Sequence, residues 1–501
     1  MHHHHTEAIV IGAGVAGMAA AIRLQLKGYQ VTVYDKNEYP GGKLSYFEQD
    51  GYCFDAGPSL FTQPQNLEAL FALAGKPMQA YLPYQAVPVS CHYFYENGKT
   101  LKAYTQVEPL AAEMEQQLGE PAANVLAYLQ QSGQTYEQVG TLFLNHSLHR
   151  WRTFTGQKIK NALKAARWSH VTTSLHRYNS RAFRTPEAVQ LFNRYATYNG
   201  SNPYQAPAML SLIPHLEIAQ GTYYPQGGMI SITRALHQLA MELGVQFKLG
   251  TAVQRIIQVD NKVAGVVAEG QNHLAPLVVS NADVYFTYKN LLNQPEQAAR
   301  ILRQERSSSA LIFYWGIQAE FKQLGLHNIF FSANYQQEFE HLFKKAMPYP
   351  DPTVYINITS KMEATMAPAG CENWFVMVNA PAHRGQNWKE LIPAIKEQVL
   401  AKLSRLLGRP VAPLIAIEQI MDPPTIEQRT ASYMGSLYGT SSNSRLAAFW
   451  RHPNFARTIG GLYFVGGSVH PGGGIPLCLQ SASIMAGMVP EAAAAPSSSL
   501  H

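Results

Sequence analysis

Residues 7–35 alternate apolar runs with polar positions in an order that predicts strand, helix and strand. Residues 8–11 form an uninterrupted apolar run, and residues 18–27 place apolar and small side chains at helical spacing. Gly28 follows as a helix end, and residues 31–34 predict a second strand that ends at Asp35. This order of elements predicts an α/β fold.

The same periodicities recur further along the chain. Helices are predicted for 228–244 and 475–488, and strands for 253–259, 263–267, 310–315, 374–378 and 462–465. The aromatic side chains of the runs 310–315 and 374–378 are expected to belong to the core. Residues 195–204, YATYNGSNPY, predict a loop whose aromatic rings either line a tunnel or pack in the core.

Residues 12–17, GAGVAG, form a tight loop between the first strand and the first helix. Gly12 makes the turn, Gly14 lets a phosphate approach the backbone, and Gly17 lets helix and strand pack closely. Asp35 lies 18 residues after Gly17, where a carboxylate takes the ribose hydroxyls of a dinucleotide. The unit predicts a dinucleotide site but does not distinguish NAD from FAD.

Two further loops favour FAD. Residues 40–45, PGGKLS, and 54–61, FDAGPSLF, offer many backbone donors where an NAD domain normally continues to its next strand. A second glycine-rich loop, 466–476, ends at Pro476 in the first turn of a helix, a position where proline is favourable. The positive end of that helix would stabilise the negative charge of a reduced flavin.

These motifs resemble the phytoene desaturase type of bacterial carotenoid desaturases, within the wider flavin amine oxidase-like superfamily. The blocks that carry the resemblance span nearly the whole chain: 8–61, 224–229, 280–283, 351–355, 435–439 and 466–476. The resemblance implies an α/β protein with a Rossmann-like FAD-binding domain, an inserted α+β substrate domain and a helical membrane-associating region. Residues 194–229 and 470–476 are most similar to the 1-hydroxycarotenoid 3,4-desaturase branch.

The resemblance also implies that the glycine-rich loops at the two ends of the chain serve one FAD, and it implies which residues contact FAD. They are Gly12, Gly14, Ala16, Gly17, Asp35, Lys36, Gly42, Lys43, Gly57, Pro58, Ser59, Leu60, Val253, Asn281, Ala282, Gly466, Gly467, Gly474, Ile475 and Pro476. Lys43 departs from the family pattern, because many relatives carry arginine there, and lysine keeps the charge but loses the planar fork. No catalytic base is evident: His470, inside the flavin loop, is a candidate, and a structural role is favoured over it. No metal site is expected.

The domains are expected to be discontinuous. Residues 6–75, 222–300 and 425–490 form the FAD-binding domain, and 76–221 and 301–424 form the substrate domain, with 138–186 as the basic membrane-associating region. Residues 1–5 are interpreted as an expression tag.

Positive charge is concentrated in one insert. The chain has a formal net charge of +6, yet nine basic residues and no acidic one lie between Glu137 and Glu187, interleaved with aromatic and aliphatic side chains. Such a segment suits an anionic membrane surface. Nucleic acid could use the same groups, and a solvated helix face is the simplest alternative. A lipophilic substrate favours the membrane, so nucleic acid is not expected as a partner.

Composition restricts the location and the chemistry. No run reaches the roughly 18 apolar residues of a membrane-spanning helix. The four cysteines lie far apart, which predicts neither disulfides nor a zinc site and favours a reducing compartment. We therefore expect a cytoplasmic protein, associated peripherally with the inner face of the cell membrane.

The resemblance implies an FAD-dependent enzyme that introduces a C=C bond into an acyclic carotenoid end group, with 3,4-desaturation of a 1-hydroxycarotenoid as the first candidate. Phytoene or diapophytoene desaturation is the runner-up. Flavin amine oxidation and non-catalytic binding of a polyene are more remote alternatives. Since the chain has no second dinucleotide motif, a membrane quinone or oxygen is the expected electron acceptor.

Overall fold

The computed structural model describes residues 6–150, 153, 170, 172–444 and 451–492. Its strands, in chain order, are β1 Glu7–Ile11, β2 Gln30–Tyr34, β3 Tyr46–Gln49, β4 Tyr52–Asp55, β5 Phe61–Thr62, β6 Tyr84–Ala86, β7 Val89–Phe94, β8 Thr100–Tyr104, β9 Thr222–Pro225, β10 Gln246–Lys248, β11 Val253–Val259, β12 Lys262–Ala268, β13 Gln271–Leu274, β14 Leu277–Ser280, β15 Ser309–Ile317, β16 His327–Phe330, β17 Val354–Ile358, β18 Glu372–Ala380, β19 Ile415–Met421 and β20 Leu462–Phe464.

Its α-helices are α1 Val15–Leu26, α2 Gln65–Leu73, α3 Val107–Leu118, α4 Ala122–Thr135, α5 Thr141–Asn145, α6 Leu175–Ala182, α7 Pro186–Asn193, α8 Ile230–Glu242, α9 Val284–Phe286, α10 Pro295–Ile301, α11 Tyr335–Glu340, α12 Trp388–Leu407, α13 Pro423–Thr430 and α14 Ile475–Ala486. Short 3₁₀ and π turns lie between them. Within the described ranges, no helix is long and apolar enough to cross a membrane. The predicted tag and part of the basic insert, 151–152, 154–169 and 171, lie outside the described residues.

One of the two large sheets is five-stranded and parallel, in the order β10, β2, β1, β14, β20. The alternation along β1 assigns its two faces. Ala8 and Val10 pack with α1, α8 and α14, whereas Ile9 and Ile11 pack with the three-stranded sheet β11–β13. Both faces are therefore covered, which explains why the four buried residues of β1, 8–11, are all apolar.

Helix α1 begins at Val15, three residues before the predicted start at residue 18. The glycine loop is shorter than the pattern indicates, because Gly17 already lies in the first turn. A side chain at Gly17 would overlap the carbonyl oxygen of Gly12. The helix can thus approach β1 closely enough to begin immediately after the turn. At the other end of the chain, α14 ends at Ala486, two residues before the predicted end.

A seven-stranded mixed sheet forms the other large layer, in the order β19, β15, β18, β17, β16, β7, β8. All nine residues of β15 are buried and pair with β18. Trp315 and Trp374 pack on one face with α12, which confirms the prediction of core aromatics. The opposite face presents Ile312 and Phe375 to a cavity.

The prediction of a loop for residues 195–204 is wrong for the first half of that segment. Residues Arg194–Asn199 form a 3₁₀ turn, which ends at Gly200 with φ of +56°. The turn is stabilised where Thr197 Oγ1 donates to the carbonyl oxygen of Arg194 (2.7 Å). Tyr195 packs in the core, and Tyr198 lines the cavity. Core packing is therefore right for the first ring, and lining of a tunnel is right for the second.

The strands follow the predicted division of the chain with one exception. All five strands of the parallel sheet lie in the segments assigned to the FAD-binding domain, and all seven of the mixed sheet lie in the inserts. The exception is β6, from an insert, which pairs with β9. The domain boundaries themselves stay a prediction.

A buried ion pair joins the two layers. Arg306, just before β15, contacts the carboxylate of Asp283, which lies just after β14 and caps α9 through Tyr285 N (2.9 Å). Arg306 Nε also donates to Ser436 Oγ (3.1 Å). Both charged side chains are almost fully buried, so each charge depends on its partner.

We expect Asp283→Asn to destabilise the fold by about 3–5 kcal/mol, because Arg306 would keep its buried charge without a counter-ion. The measurement is chemical denaturation of variant and parent. Lys344→Ala, which removes an exposed pair with Glu340, is the control and should have no measurable effect. Equal stability of Asp283→Asn and the parent would contradict the role of this pair.

Candidate functional site

One cavity of about 970 Å³ is lined by residues of both large sheets. It begins at the carboxyl ends of β1 and β14, where parallel sheets bind their ligands, and it continues along the inner face of β15 and β18. The cavity therefore connects the predicted cofactor site with the predicted substrate domain.

The structure brings the predicted cofactor residues together. Those that line the cavity are Gly12, Gly14, Ala16, Asp35, Lys36, Gly42, Lys43, Gly57, Pro58, Ser59, Leu60, Val253, Asn281, Ala282, Gly466, Gly467, Gly474, Ile475 and Pro476. Gly17 does not line it and instead lies between α1 and the turn. That these residues contact FAD stays a prediction.

The first glycine loop is held by its neighbours. Gly12 has φ of +100°, which favours glycine. Ala13 N donates to Asp35 Oδ2 (2.7 Å), and Gly41 N donates to the carbonyl oxygen of Ala13 (2.8 Å). Burial raises the pKa of Asp35, and hydrogen bonds from Asn37 and Ala13 oppose that shift. The loops predicted from two separate motifs thus form one wall.

Asn281 lies between the two glycine-rich loops. A Cβ added at Gly14 would lie 2.7 Å from its Nδ2 atom, and a Cβ added at Gly466 would lie 2.6 Å from its Oδ1 atom. Its Nδ2 atom also donates to the carbonyl oxygen of Gly12 (3.5 Å), a long hydrogen bond. Glycine is required on both sides because the amide leaves no room for a side chain.

The second loop leads into α14 at the cavity wall. Gly474 has φ of +105° and ψ of 151°, a conformation that is almost restricted to glycine, and a Cβ there would meet no atom within 4 Å. The N-terminus of α14 follows at Ile475, which also lines the cavity. Two helix N-termini, those of α1 and α14, therefore border the same space, as an anionic ligand requires.

His470, the candidate proton acceptor, lines the cavity but has one nitrogen engaged. Its Nε2 atom donates to the carbonyl oxygen of His146 (2.9 Å), which places the ring proton on Nε2. Burial lowers the pKa of His470 to about 4, so the ring is neutral near pH 7. The contact with His146 agrees with the favoured structural role, and neither role is tested by this geometry.

Lys43 and Arg451 are among the cations that line the cofactor end of the cavity. Lys43 Nζ donates to the carbonyl oxygen of Leu437 (2.7 Å), and Arg451 donates to those of Tyr438 (2.8 Å) and Gly467 (3.2 Å). Burial lowers the pKa of Lys43 to about 8 and that of Arg451 to about 10. Sequence reasoning missed Arg451, because no motif marks it and only the fold brings it to the glycine loop.

The middle of the cavity is apolar. Its walls are formed by Phe143, Leu144, Leu148, Met209, Leu210, Leu212, Ile213, Leu216, Ile312, Ile329, Phe375 and Met377. These residues come from the start of the basic insert, from the segment before β9 and from the mixed sheet. Such a lining binds an extended apolar molecule and excludes water from it.

A second polar group, also missed from the sequence, lines the same cavity. Arg194 Nη2 donates to Glu217 (3.1 Å), whose other oxygen accepts from the Tyr198 hydroxyl. His327 Nδ1 lies 2.8 Å from the hydroxyl of Tyr355. No pattern in β16 marks His327, and its partners come from distant segments.

These features fit FAD. The glycine loops give the backbone a close approach to phosphates, and Asp35 lies where the ribose is expected. Lys43 and Arg451 supply positive charge for a ligand whose pyrophosphate is negative. When bound, the flavin supplies the hydride-accepting group of the enzyme. The fold and the cavity therefore define an FAD-dependent oxidoreductase.

Comparison with known proteins agrees with this class. The chain belongs to the flavin containing amine oxidoreductase family, whose pattern matches residues 15–489. It is 48% identical over 485 residues to a 1-hydroxycarotenoid 3,4-desaturase of Flavobacterium sp. (strain P99-3), covering 97% of this chain and 99% of that relative. It is 32% identical to a 4,4'-diapolycopene oxygenase of Methylomonas sp, covering 95% and 96%.

The fold is also shared with solved structures of low sequence identity. An oxidoreductase from Methanosarcina mazei superposes with a TM-score of 0.63 at 14% identity, covering 95% of this chain and 98% of that one. The architecture expected from the sequence, a Rossmann-like FAD-binding fold of the amine oxidase type, is confirmed.

We expect Gly474→Val to lower FAD affinity at least about tenfold, because valine tolerates this φ and ψ poorly and its side chain would enter the cavity. The measurement is fluorescence titration of the apoprotein with FAD. Gly385→Val is the matched control: Gly385 has φ of +98° and is exposed outside the cavity. A Gly474→Val protein with undiminished flavin absorbance would contradict the assignment.

Proposed function

We propose that this enzyme is an FAD-dependent carotenoid desaturase that forms a C=C bond in an acyclic end group, with 3,4-desaturation of a 1-hydroxycarotenoid as its reaction. The observation that carries the proposal is the continuous cavity, which joins the cofactor loops to an apolar channel. The 48% identity to a 1-hydroxycarotenoid 3,4-desaturase supports the choice of substrate.

The residues of this chain contribute placement and exclusion of water. The apolar side chains of Leu210, Ile312 and Phe375 hold a polyene without competing polar contacts. Desaturation removes a hydride equivalent from an allylic carbon and a proton from its neighbour. Conjugated double bonds spread the positive charge that develops on the polyene. The channel therefore has to place the polyene and exclude water, and it needs no charged side chain to stabilise that state.

Amine oxidation is less well supported as an alternative. A soluble amine needs a compact polar or aromatic cage, whereas the apolar walls of this cavity are largely aliphatic. Phytoene and diapophytoene would fit the apolar walls equally well, so the end group is the feature that must distinguish them.

The decisive test is anaerobic mixing of the FAD-loaded enzyme with a 1-hydroxylated acyclic carotenoid in detergent. We expect bleaching of the oxidised flavin, a red shift of the polyene spectrum and loss of two hydrogens by mass. Phytoene, diapophytoene and a primary amine are the comparison substrates. Flavin bleaching by the amine alone would overturn the proposal, and readmission of oxygen or of a quinone would identify the acceptor.

We also propose that the enzyme binds the inner face of the cell membrane through its basic insert. Phe143, Leu144 and Leu148, at the start of this insert, line the cavity, so a lipophilic substrate can pass from the bilayer to the channel. In the described part of the basic insert, Arg177 and Arg181 lie four residues apart in α6, and both are exposed. Cations on one helix face suit anionic headgroups.

We expect Arg177→Glu with Arg181→Glu to weaken binding to anionic liposomes at low salt at least about tenfold, because each basic residue near the surface contributes about 1 kcal/mol. Sedimentation with vesicles measures this. Arg300→Glu with Lys344→Glu, both exposed elsewhere, is the control of equal charge change. If the parent protein did not sediment with such vesicles, the membrane proposal would be lost.

A further inference from the structure

His327 lines the cavity and carries a buried side-chain nitrogen that has no hydrogen-bond partner among the described residues. It is the first residue of β16, and it lines the cavity together with Ile329, two residues further along the same face. The side chain is 3% exposed. Its Nε2 atom is buried and has no hydrogen-bond partner among the described residues.

Pairing of β16 with β17 fixes which nitrogen carries the proton. Asn357 is the register partner of His327, and its Nδ2 atom donates to the carbonyl oxygen of Leu326 (3.1 Å), which sets the orientation of the amide. The same Nδ2 atom lies 3.1 Å from His327 Nδ1, so Nδ1 must be the acceptor. The ring proton is therefore on Nε2, the nitrogen without a partner.

The imidazole is neutral at any physiological pH. Burial, and secondarily the charge of Arg194, lower the pKa of His327 to about 3. The guanidinium of Arg194 is itself bound to Glu217. The free Nε2–H is thus a neutral donor, which suits an uncharged acceptor such as an alcohol oxygen better than a carboxylate.

A short relay connects this donor with the predicted cofactor loop. Ser59 Oγ lies 2.6 Å from the hydroxyl of Tyr355, which lies 2.8 Å from His327 Nδ1. Two hydrogen bonds therefore separate His327 from the loop that is expected to contact FAD. In a 1-hydroxylated end group, the carbon that bears the hydroxyl is only two bonds, about 2.5 Å, from the first reacting carbon.

We propose that His327 Nε2–H donates a hydrogen bond to the tertiary hydroxyl of the substrate and thereby sets both its selection and its register at the flavin. The inference rests on the proposed function. Ser59, Tyr355 and Asn357 are positioning residues that hold the ring. A carotenoid without the hydroxyl leaves a buried donor unpaired, which disfavours that substrate.

The test is the ratio of kcat/KM for a 1-hydroxylated acyclic carotenoid to that for its analogue without the hydroxyl. We expect His327→Phe to lower this ratio about 10–100-fold by removing the donor, and His327→Gln, which keeps an N–H group, to restore part of it. Tyr93→Phe is the control, because the Tyr93 hydroxyl is also buried without a partner but does not line the cavity.

The outcomes separate the two proposals. If the parent enzyme converts neither carotenoid, the proposed function fails and this inference with it. If the parent converts them but the ratio is unchanged in His327→Phe, only the proposed role of His327 is wrong. An equal loss of kcat/KM for both substrates would also leave the ratio unchanged and would assign His327 a structural role. Should His327→Phe lose its FAD, Tyr355→Phe provides the same comparison with a smaller expected drop of several-fold.

Discussion

The cofactor site depends on one constraint, the close contact of two glycine-rich loops with the side-chain amide of Asn281. The loops at the two ends of the chain, around Gly14 and Gly466, both lie against this one side chain. Their backbones can approach it only because neither carries a Cβ. β14 and β20 are neighbours in the parallel sheet, so pairing of distant strands places Asn281 between the loops. The cofactor cavity is therefore a product of sheet order as much as of glycine content.

Charge and polarity change in steps along the cavity. At the cofactor end, Lys43 and Arg451 supply positive charge close to two helix N-termini. The middle is aliphatic and aromatic. Elsewhere in the same cavity, the pair of Arg194 with Glu217 neutralises its own charges, and His327 stays neutral through burial. An anionic cofactor and an uncharged, apolar substrate with one polar group would each find complementary surroundings in a single space.

Several elements were predictable because they depend on local pattern. The strand at 8–11, the helix in 228–244 and the paired strands after residue 253 follow the periodicity of their side chains. The 3₁₀ turn Arg194–Asn199 was not, since a buried ion pair with Glu217 and a hydrogen bond from Thr197 hold it. Polar and aromatic residues in a short segment do not reveal such partners, so a loop was the natural expectation there.

The sequence alone determined the nucleotide-binding unit and its cofactor class, because tight turns, close backbone approach and helix starts require particular residues at particular spacings. Only the tertiary structure decided which distant groups share the cavity. Arg451 and His327 carry no motif and gain their environment from strand order and register. Burial, which shifts their pKa values and leaves polar atoms without partners, is a property of the packed fold and is absent from any segment taken by itself.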